Sequence, residues 1–242
     1  MLFRSERVRP RTVALGDDEG LAVRRTLPTR SRSLIGAWCF LDHYGPAVVA
    51  DSGGMQVPPH PHTGLQTASW LFDGEVEHRD SAGNHAMIVP GEIDLMTSGR
   101  GIAHSERSTA TARTLHGVQL WIALPEAVRF REPSFESGPA ESVSEAGLDA
   151  RVFLGSLLGA TPRATAHSPL LGAELAVHAG ADIVLPLDAS FEHGLLVDSG
   201  DVSIDGTSID PGELAFLERG RTRIRIEGRS PARLMLLGGE PL

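Results

Sequence analysis

Short apolar runs separated by turn residues make up most of the chain. The clearest runs occupy residues 68–72, 116–123, 173–178 and 183–187. Between them lie dipeptides that favour tight turns, namely Asp73-Gly74, Gly83-Asn84, Pro90-Gly91, Asp205-Gly206 and Pro211-Gly212. Apolar runs of this length with frequent turn signals predict an all-β protein, built as a sandwich or a barrel. No long stretch has the periodicity of an amphipathic helix.

A segment poor in large apolar residues divides the chain into two parts of similar β character. Residues 131–147 are rich in Ser, Pro, Glu and Gly, which is typical of a connector. We therefore predict an N-terminal domain at 1–130, a linker at 131–147 and a C-terminal domain at 148–242. Each domain contains a Gly-acidic-Val turn and then a Pro-Gly-Glu turn, at 74–76 and 90–92 and again at 200–202 and 211–213. This pattern indicates a degenerate internal repeat.

Composition and charge narrow the classes of partner. The 242 residues are 41% hydrophobic, which is ordinary for a soluble globular protein. No apolar run reaches the roughly 18 residues of a membrane helix, so we expect no membrane partner. The net charge of -9 argues against direct binding to nucleic acid. Cys39 is the single cysteine and the first residues show no secretory signal, so we expect a cytoplasmic protein.

Two short motifs of metal-binding residues lie in the N-terminal half. His60 and His62 are two residues apart, and so are His104 and Glu106. In a β-strand, residues i and i+2 point to the same face, so each pair projects together. If the two strands are opposite each other in a barrel, all four side chains converge on one point inside it.

Three imidazoles and one carboxylate suit a single divalent first-row transition metal. Four protein ligands leave one or two coordination positions open, which is typical of a catalytic site. A lone His-x-His motif is usually structural, but two such pairs at strand spacing favour a metal site. We expect structural or solvent-facing roles for the other histidines. Of these, His43 and His78 are candidates to line the pocket or to orient the ligands.

The residues around these motifs resemble the pirin family of the cupin superfamily. The resemblance is carried by PPHPHTGLQTASWLFDGEVEHRDSAG, PGEIDLMTSGRGIAHSE and HGVQLWIALPE, and by the earlier segment GAWCFLDHYGP. It is strong over residues 24–125 and continues more weakly to LMLLGGEPL at the end of the sequence.

The resemblance implies a fold, a ligand set and an activity. Pirins are similar to bicupins, which are all-β proteins with two tandem cupin β-barrels (double-stranded β-helices) and metal only in the first. The ligands of the family match His60, His62, His104 and Glu106. Iron, as Fe2+, is the metal usually linked with pirins, and Ni, Cu, Mn or Zn would also suit these donors. Several pirins have quercetin 2,3-dioxygenase activity, and animal members act as nuclear co-regulators of transcription.

The second repeat has no counterpart of the ligand set. Aligning the two repeats on their turns places Pro186, Asp188, Arg225 and Glu227 at the four ligand positions. None is a histidine, so we predict a C-terminal cupin domain that lacks metal ligands. The first repeat itself departs from common metal-binding cupins, because Gln66 occupies the position of a usual Glu ligand. We expect Glu106 to supply the carboxylate instead.

Three functions fit these observations. The leading one is a dioxygenase of the quercetin 2,3-dioxygenase type, which acts on a small aromatic, flavonol-like substrate and dioxygen with Glu106 as general base. The second is a non-catalytic, metal-dependent regulatory protein that binds a protein partner. The third is a non-redox cupin that uses Zn, such as a sugar isomerase. Oxygen uptake with a flavonol distinguishes the first from the other two.

Overall fold

The structure, a computed structural model, describes residues 6–15 and 21–242 and is almost entirely β. The described residues form 22 strands and one helix of four residues. The all-β prediction is confirmed. No helix among the described residues is long and apolar enough to span a membrane.

In chain order the elements are β1 (Glu6–Val8), β2 (Arg11–Leu15), β3 (Leu21–Leu27), β4 (Trp38–Val48), α1 (Val49–Ser52), β5 (Gln56–His62), β6 (Leu65–Asp73), β7 (Val76–Asp80), β8 (His85–Ile88), β9 (Glu92–Thr97), β10 (Ile102–Ser108), β11 (Thr114–Ala123), β12 (Ser134–Pro139), β13 (Glu141–Glu145), β14 (Leu148–Leu154), β15 (Leu170–Val177), β16 (Asp182–Pro186), β17 (Glu192–Ser199), β18 (Val202–Ile204), β19 (Thr207–Ile209), β20 (Leu214–Leu217), β21 (Arg223–Gly228) and β22 (Ala232–Gly239).

Packing groups the described residues into two units. The N-terminal unit comprises residues 11–15, 21–28 and 39–139, and the C-terminal unit comprises 6–10, 29–38 and 140–242. The first strand, β1, belongs to the C-terminal unit because it pairs with β20. The domain boundaries at 130 and 147 stay a prediction, since packing alone does not show which part of the chain folds independently.

The segment 131–147 contains two strands where its composition predicts a connector. β12 pairs with β9 in the N-terminal unit, and β13 pairs with β14 in the C-terminal unit. Both strands lie at the edge of a seven-stranded sheet. Edge strands are largely exposed to solvent, so their residues are as polar as those of a linker.

The two units repeat the same sheet topology. The seven-stranded sheet of the N-terminal unit has the order β12-β9-β6-β11-β4-β3-β2, and that of the C-terminal unit has the order β1-β20-β17-β22-β15-β14-β13. The four-stranded sheets match in the same way, as β5-β10-β7-β8 and β16-β21-β18-β19. The internal repeat inferred from the turns is therefore present in the strand order.

The interiors of the two units differ in polarity. In the N-terminal unit the Ser69 hydroxyl on β6 lies 3.0 Å from a carboxyl oxygen of Glu106 on β10, so the two sheets face each other across a polar interior. An apolar cluster fills another part of this interior, namely Leu21, Val23, Tyr44, Met55, Leu71, Val76, Ile88 and Leu115. The core of the C-terminal unit consists of aliphatic side chains, among them Ile183, Leu185, Ile204, Ile224 and Ile226.

We expect Ile226→Ala to lower the free energy of unfolding by about 2–5 kcal/mol, because it removes buried methyl groups and leaves a cavity. Ile226 is fully buried in the core of the C-terminal unit. The matched control is Val184→Ala on the neighbouring strand β16, where the side chain is 57% exposed. That control should change stability by no more than about 0.5 kcal/mol. Equal urea unfolding curves for the two variants would contradict the description of this core.

Candidate metal centre

Three histidine rings meet inside the N-terminal unit. β5 and β10 are antiparallel neighbours, with His104 directly opposite His60 and Ile102 opposite His62. The Nε2 atom of His62 lies 2.9 Å from Nε2 of His60 and 3.1 Å from Nε2 of His104. The structure thus brings together the three histidines that the spacing of the two motifs predicts.

Prolines shape the strand that carries two of these histidines. β5 contains Pro58, Pro59 and Pro61, none of which has a backbone N–H to donate. Such a strand is tolerated at the edge of a sheet, and β5 is an edge strand that pairs with β10 within its four-stranded sheet. The fixed backbone of the prolines holds His60 and His62 in extended positions.

Burial favours the neutral form of His62 and His104, which is the form that binds a metal. Burial, with a smaller contribution from the neighbouring His60 ring, lowers the pKa of His62 to about 4. Burial likewise lowers the pKa of His104 to about 2, with smaller contributions from His60, His62 and His78. A neutral imidazole has one N–H and one lone pair, so a cation among the three Nε2 atoms could accept a lone pair from each ring.

The ring of His60 is already oriented for this role. Its Nδ1 atom lies 3.0 Å from the backbone oxygen of Pro58. A carbonyl oxygen can only accept a hydrogen bond, so the proton of a neutral His60 sits on Nδ1. The lone pair of Nε2 is then directed at the other two rings.

Glu106 is the next inward residue on β10 after His104 and is almost fully buried. Its carboxyl group belongs to a second group with His78 and His104, in which the candidate ligand atoms lie within 4.8 Å of one another. His60, His62 and His104 form the first such group. Burial raises the pKa of Glu106 to about 7, while the hydroxyl of Ser69 favours the ionised form. Its role as fourth ligand stays a prediction.

Gln66 faces away from the three histidines. Residues alternate between the two faces of a strand, so Gln66 and Ser69 on β6 point in opposite directions. The side-chain amide of Gln66 donates a hydrogen bond to Thr97 Oγ1 at 2.9 Å, on the neighbouring strand β9.

The two histidines singled out for their possible contact with the site differ in position. The Nδ1 atom of His78 lies 3.4 Å from Nδ1 of His104. His43 instead lies beside Arg24, whose guanidinium nitrogens are 3.1–3.3 Å from its ring, and near the rings of Phe72 and His116. His43 is not a member of the three-histidine group.

An aromatic wall that sequence reasoning missed borders the three histidines. The half-buried indole of Trp121 is 5.0 Å from the His62 ring in an edge-on arrangement. Phe40 stacks on Trp121 at 4.0 Å, and the guanidinium of Arg25 lies 4.4 Å above Phe40. Alternation along β11 would have indicated Trp121, because it lies two residues after Gln119, whose side-chain oxygen is 2.9 Å from Ser69 Oγ.

The register of the C-terminal unit corrects the alignment of the two repeats. Glu106 lies opposite His78 in the first unit, and Ile226 lies opposite Ile204 in the second. On the other side of the strand, His104 lies opposite His60, just as Ile224 lies opposite Leu185.

The predicted counterparts Pro186, Asp188, Arg225 and Glu227 are therefore wrong by one residue each. The repeats differ by one residue in length between turn and strand, and a shift of one residue points a side chain to the opposite face. Arg225 indeed pairs with Asp182 at 2.7 Å on the exposed face. Among the described residues, Leu185, Ile224 and Ile226 fill the corresponding interior positions of the C-terminal unit.

Known proteins resemble this chain over nearly all of its length. Family models for pirin and for the pirin C-terminal cupin domain match residues 20–122 and 172–242. The chain is 44% identical to a Pseudomonas aeruginosa protein named as a candidate quercetin 2,3-dioxygenase, over 98% of this chain and 75% of that protein. It is 36% identical to a pirin-like protein of Caulobacter vibrioides, over 91% of this chain and 79% of the relative.

A solved structure extends the likeness to the fold. The crystal structure of a quercetin 2,3-dioxygenase from Acinetobacter baumannii matches with a TM-score of 0.94 and 37% identity, over 99% of this chain and 79% of that chain. The predicted bicupin architecture is thereby confirmed.

We expect Cys39 to react slowly with a thiol reagent at pH 7. Burial raises the pKa of this thiol to about 11, and the thiolate is the reactive species. Modification by a chromogenic disulfide should be at least about tenfold slower in the native than in the urea-unfolded protein. Equal rates in the two states would show that Cys39 is exposed.

Proposed function

We propose a metal-dependent dioxygenase function, of the quercetin 2,3-dioxygenase type, for this chain, which belongs to the pirin family of the cupin superfamily. The observation that carries the proposal is the convergence of three imidazoles inside the N-terminal unit, where Nε2 of His62 lies 2.9 Å from Nε2 of His60 and 3.1 Å from Nε2 of His104. The similarity to proteins named as quercetin 2,3-dioxygenases supports the class of reaction.

The donor set fits a first-row divalent cation. We propose that His60, His62 and His104 hold the metal through Nε2, with Glu106 as the fourth ligand. Imidazole nitrogens together with a carboxylate suit Fe2+, and they also suit Ni, Cu, Mn or Zn. When bound, the metal would lower the pKa of a coordinated hydroxyl group and hold the two reactants together.

The protein's own groups account for substrate binding and proton transfer in this proposal. Glu106 is buried beside His104 and is the carboxylate placed to accept the hydroxyl proton of a flavonol-like substrate. Trp121 and Phe40 offer an aromatic wall next to His62, which suits a flat aromatic molecule. We therefore propose a small aromatic molecule and dioxygen as the substrates. We propose the cytoplasm as the location of the protein.

A non-catalytic, metal-dependent regulator is the second candidate. It is favoured by the similarity to a pirin-like protein whose name carries no activity. In this alternative the same histidines bind the metal, and the partner is another protein. The two experiments below separate the candidates, because the first tests metal binding alone and the second tests turnover.

Elemental analysis of the purified protein should find about one transition-metal ion per chain, and His60→Ala should lose most of it because one of three converging imidazoles is gone. The matched control is His85→Ala. His85 lies on β8 and is exposed, with its ring 2.8 Å from Glu77. This control should retain the metal. A wild-type protein that stays metal-free after reconstitution with Fe2+ would contradict both candidate functions.

Oxygen uptake with quercetin should be measurable for the metal-loaded protein, and Glu106→Gln should slow it by about 10²–10⁴-fold if this carboxylate is the general base. Metal content is measured on the same samples, so that loss of the base can be distinguished from loss of the metal. A metal-loaded protein that consumes no oxygen with quercetin or other flavonols would overturn the dioxygenase proposal in favour of the regulator.

A further inference from the structure

Two buried side chains, those of His78 and Asp80, lie on the side of the His104 ring that is opposite to its contact with His62. His104 Nδ1 lies 3.4 Å from His78 Nδ1, and His78 Nε2 lies 3.4 Å from Asp80 Oδ2. His78 and Asp80 are both on β7, which is paired with β10 so that Asp80 is opposite His104.

We propose that Asp80 and His78 are positioning residues that fix the protonation and orientation of His104, so that its Nε2 lone pair is directed at the metal. This inference rests on the proposed metal site, and it deepens that proposal by assigning residues that do not themselves bind the metal.

The donor and acceptor roles along the row follow from chemistry. An ionised carboxylate can only accept, so Asp80 requires the proton of His78 to be on Nε2. With its proton on Nε2, a neutral His78 ring has a lone pair at Nδ1, which lies 3.4 Å from Nδ1 of His104. This lone pair accepts the Nδ1 proton of His104, which leaves Nε2 of His104 free for a metal.

The far end of the row is held rigidly by a turn. Asp80 Oδ1 accepts hydrogen bonds from the backbone N–H groups of Ala82 and Asn84, at 2.9 and 3.0 Å. Its other oxygen, Oδ2, accepts one from the side-chain amide of Asn84 at 2.8 Å. The carboxylate therefore has a fixed direction before any metal binds.

Packing also limits the rotation of the His78 ring. The ring of Phe135 stacks on it at 4.7 Å with an angle of 25° between the two planes, and His78 is 2% exposed. A carboxylate–histidine pair behind a ligating histidine raises the basicity of that ligand, as outer partners of metal ligands commonly do. His60 has only the backbone oxygen of Pro58 in the equivalent role.

A different role for His78 must be separated from this one. Its ring also belongs to the group formed with His104 and Glu106, within 4.8 Å. If His78 were itself a ligand, its own ring nitrogen would bind the metal, and His78 would not act through His104. The two roles predict different protonation states and different responses to substitution.

The first test needs no metal. Ring ¹⁵N and ¹H NMR shifts of the metal-free wild-type protein near pH 7 report which nitrogen of each histidine carries the proton, and the His78→Gln spectrum assigns the His78 signals. We expect the proton on Nε2 of His78 and on Nδ1 of His104. The proton on Nδ1 of His78, or on Nε2 of His104, would overturn the proposal.

The second test measures affinity for Ni²⁺ by competition with a chromogenic chelator. His78→Leu removes the acceptor and should weaken binding by about 10–100-fold, as loss of an outer partner typically does. His78→Gln keeps an acceptor oxygen and should recover most of this loss, and the exposed His85→Leu on the adjacent strand should bind as the wild type does.

Each outcome of the second test has one meaning. Unchanged affinity in His78→Leu would overturn the positioning role. Equal loss in His78→Leu and His78→Gln, with both folded by circular dichroism, would overturn it in favour of a ligand role. A wild-type protein that binds no Ni²⁺, yet shows the expected protonation states by NMR, would leave the hydrogen-bonded row intact and refute the proposed metal site.

Discussion

The register between β5 and β10 is the constraint on which the candidate site depends. Because His60 lies directly opposite His104, two motifs that are separated by more than forty residues along the chain project to one point. A shift of one residue in this pairing would turn the side chains of one strand to the other face of the sheet and separate the two motifs. A bulge between His104 and Glu106 then changes the register, so that Glu106 lies opposite Val57 and not Pro58. The backbone hydrogen bonds between β5 and β10 therefore determine which side chains meet at the site.

The two units share one topology, but the same interior positions have polar side chains in one unit and aliphatic side chains in the other. Ile224, Ile226 and Leu185 fill the interior of the C-terminal unit, where the N-terminal unit has His104, Glu106 and His60. Burying imidazoles and a carboxylate costs free energy unless they find partners, whereas aliphatic groups gain from burial. A bound cation would offset this cost in the N-terminal unit. The C-terminal unit has no such cost at these positions.

Much of the site could be predicted from sequence, because the relevant rule is local. Alternation along a strand is sufficient to direct His60 and His62 to one face, and likewise His104 and Glu106, and the family resemblance points to the same four residues. What could not be predicted depends on contacts between distant segments. Neither the sequence of β1 nor that of β20 indicates that these two strands pair. The row from Asp80 to His104 requires the register of β7 against β10. The residues of the second repeat that correspond to the candidate ligands could not be predicted, because the two repeats differ by one residue in length between turn and strand.

The prolines of β5 have a consequence beyond the orientation of two histidines. An edge strand ordinarily offers a row of free N–H and C=O groups to which a strand of another molecule can add. Pro58, Pro59 and Pro61 have no backbone N–H, so this strand of seven residues has fewer donors to offer at its free edge. The edge nearest the candidate metal centre is therefore a poor template for intermolecular β-sheet. A strand that carries His60 and His62 can therefore lie at the edge of its sheet with little risk of aggregation through it.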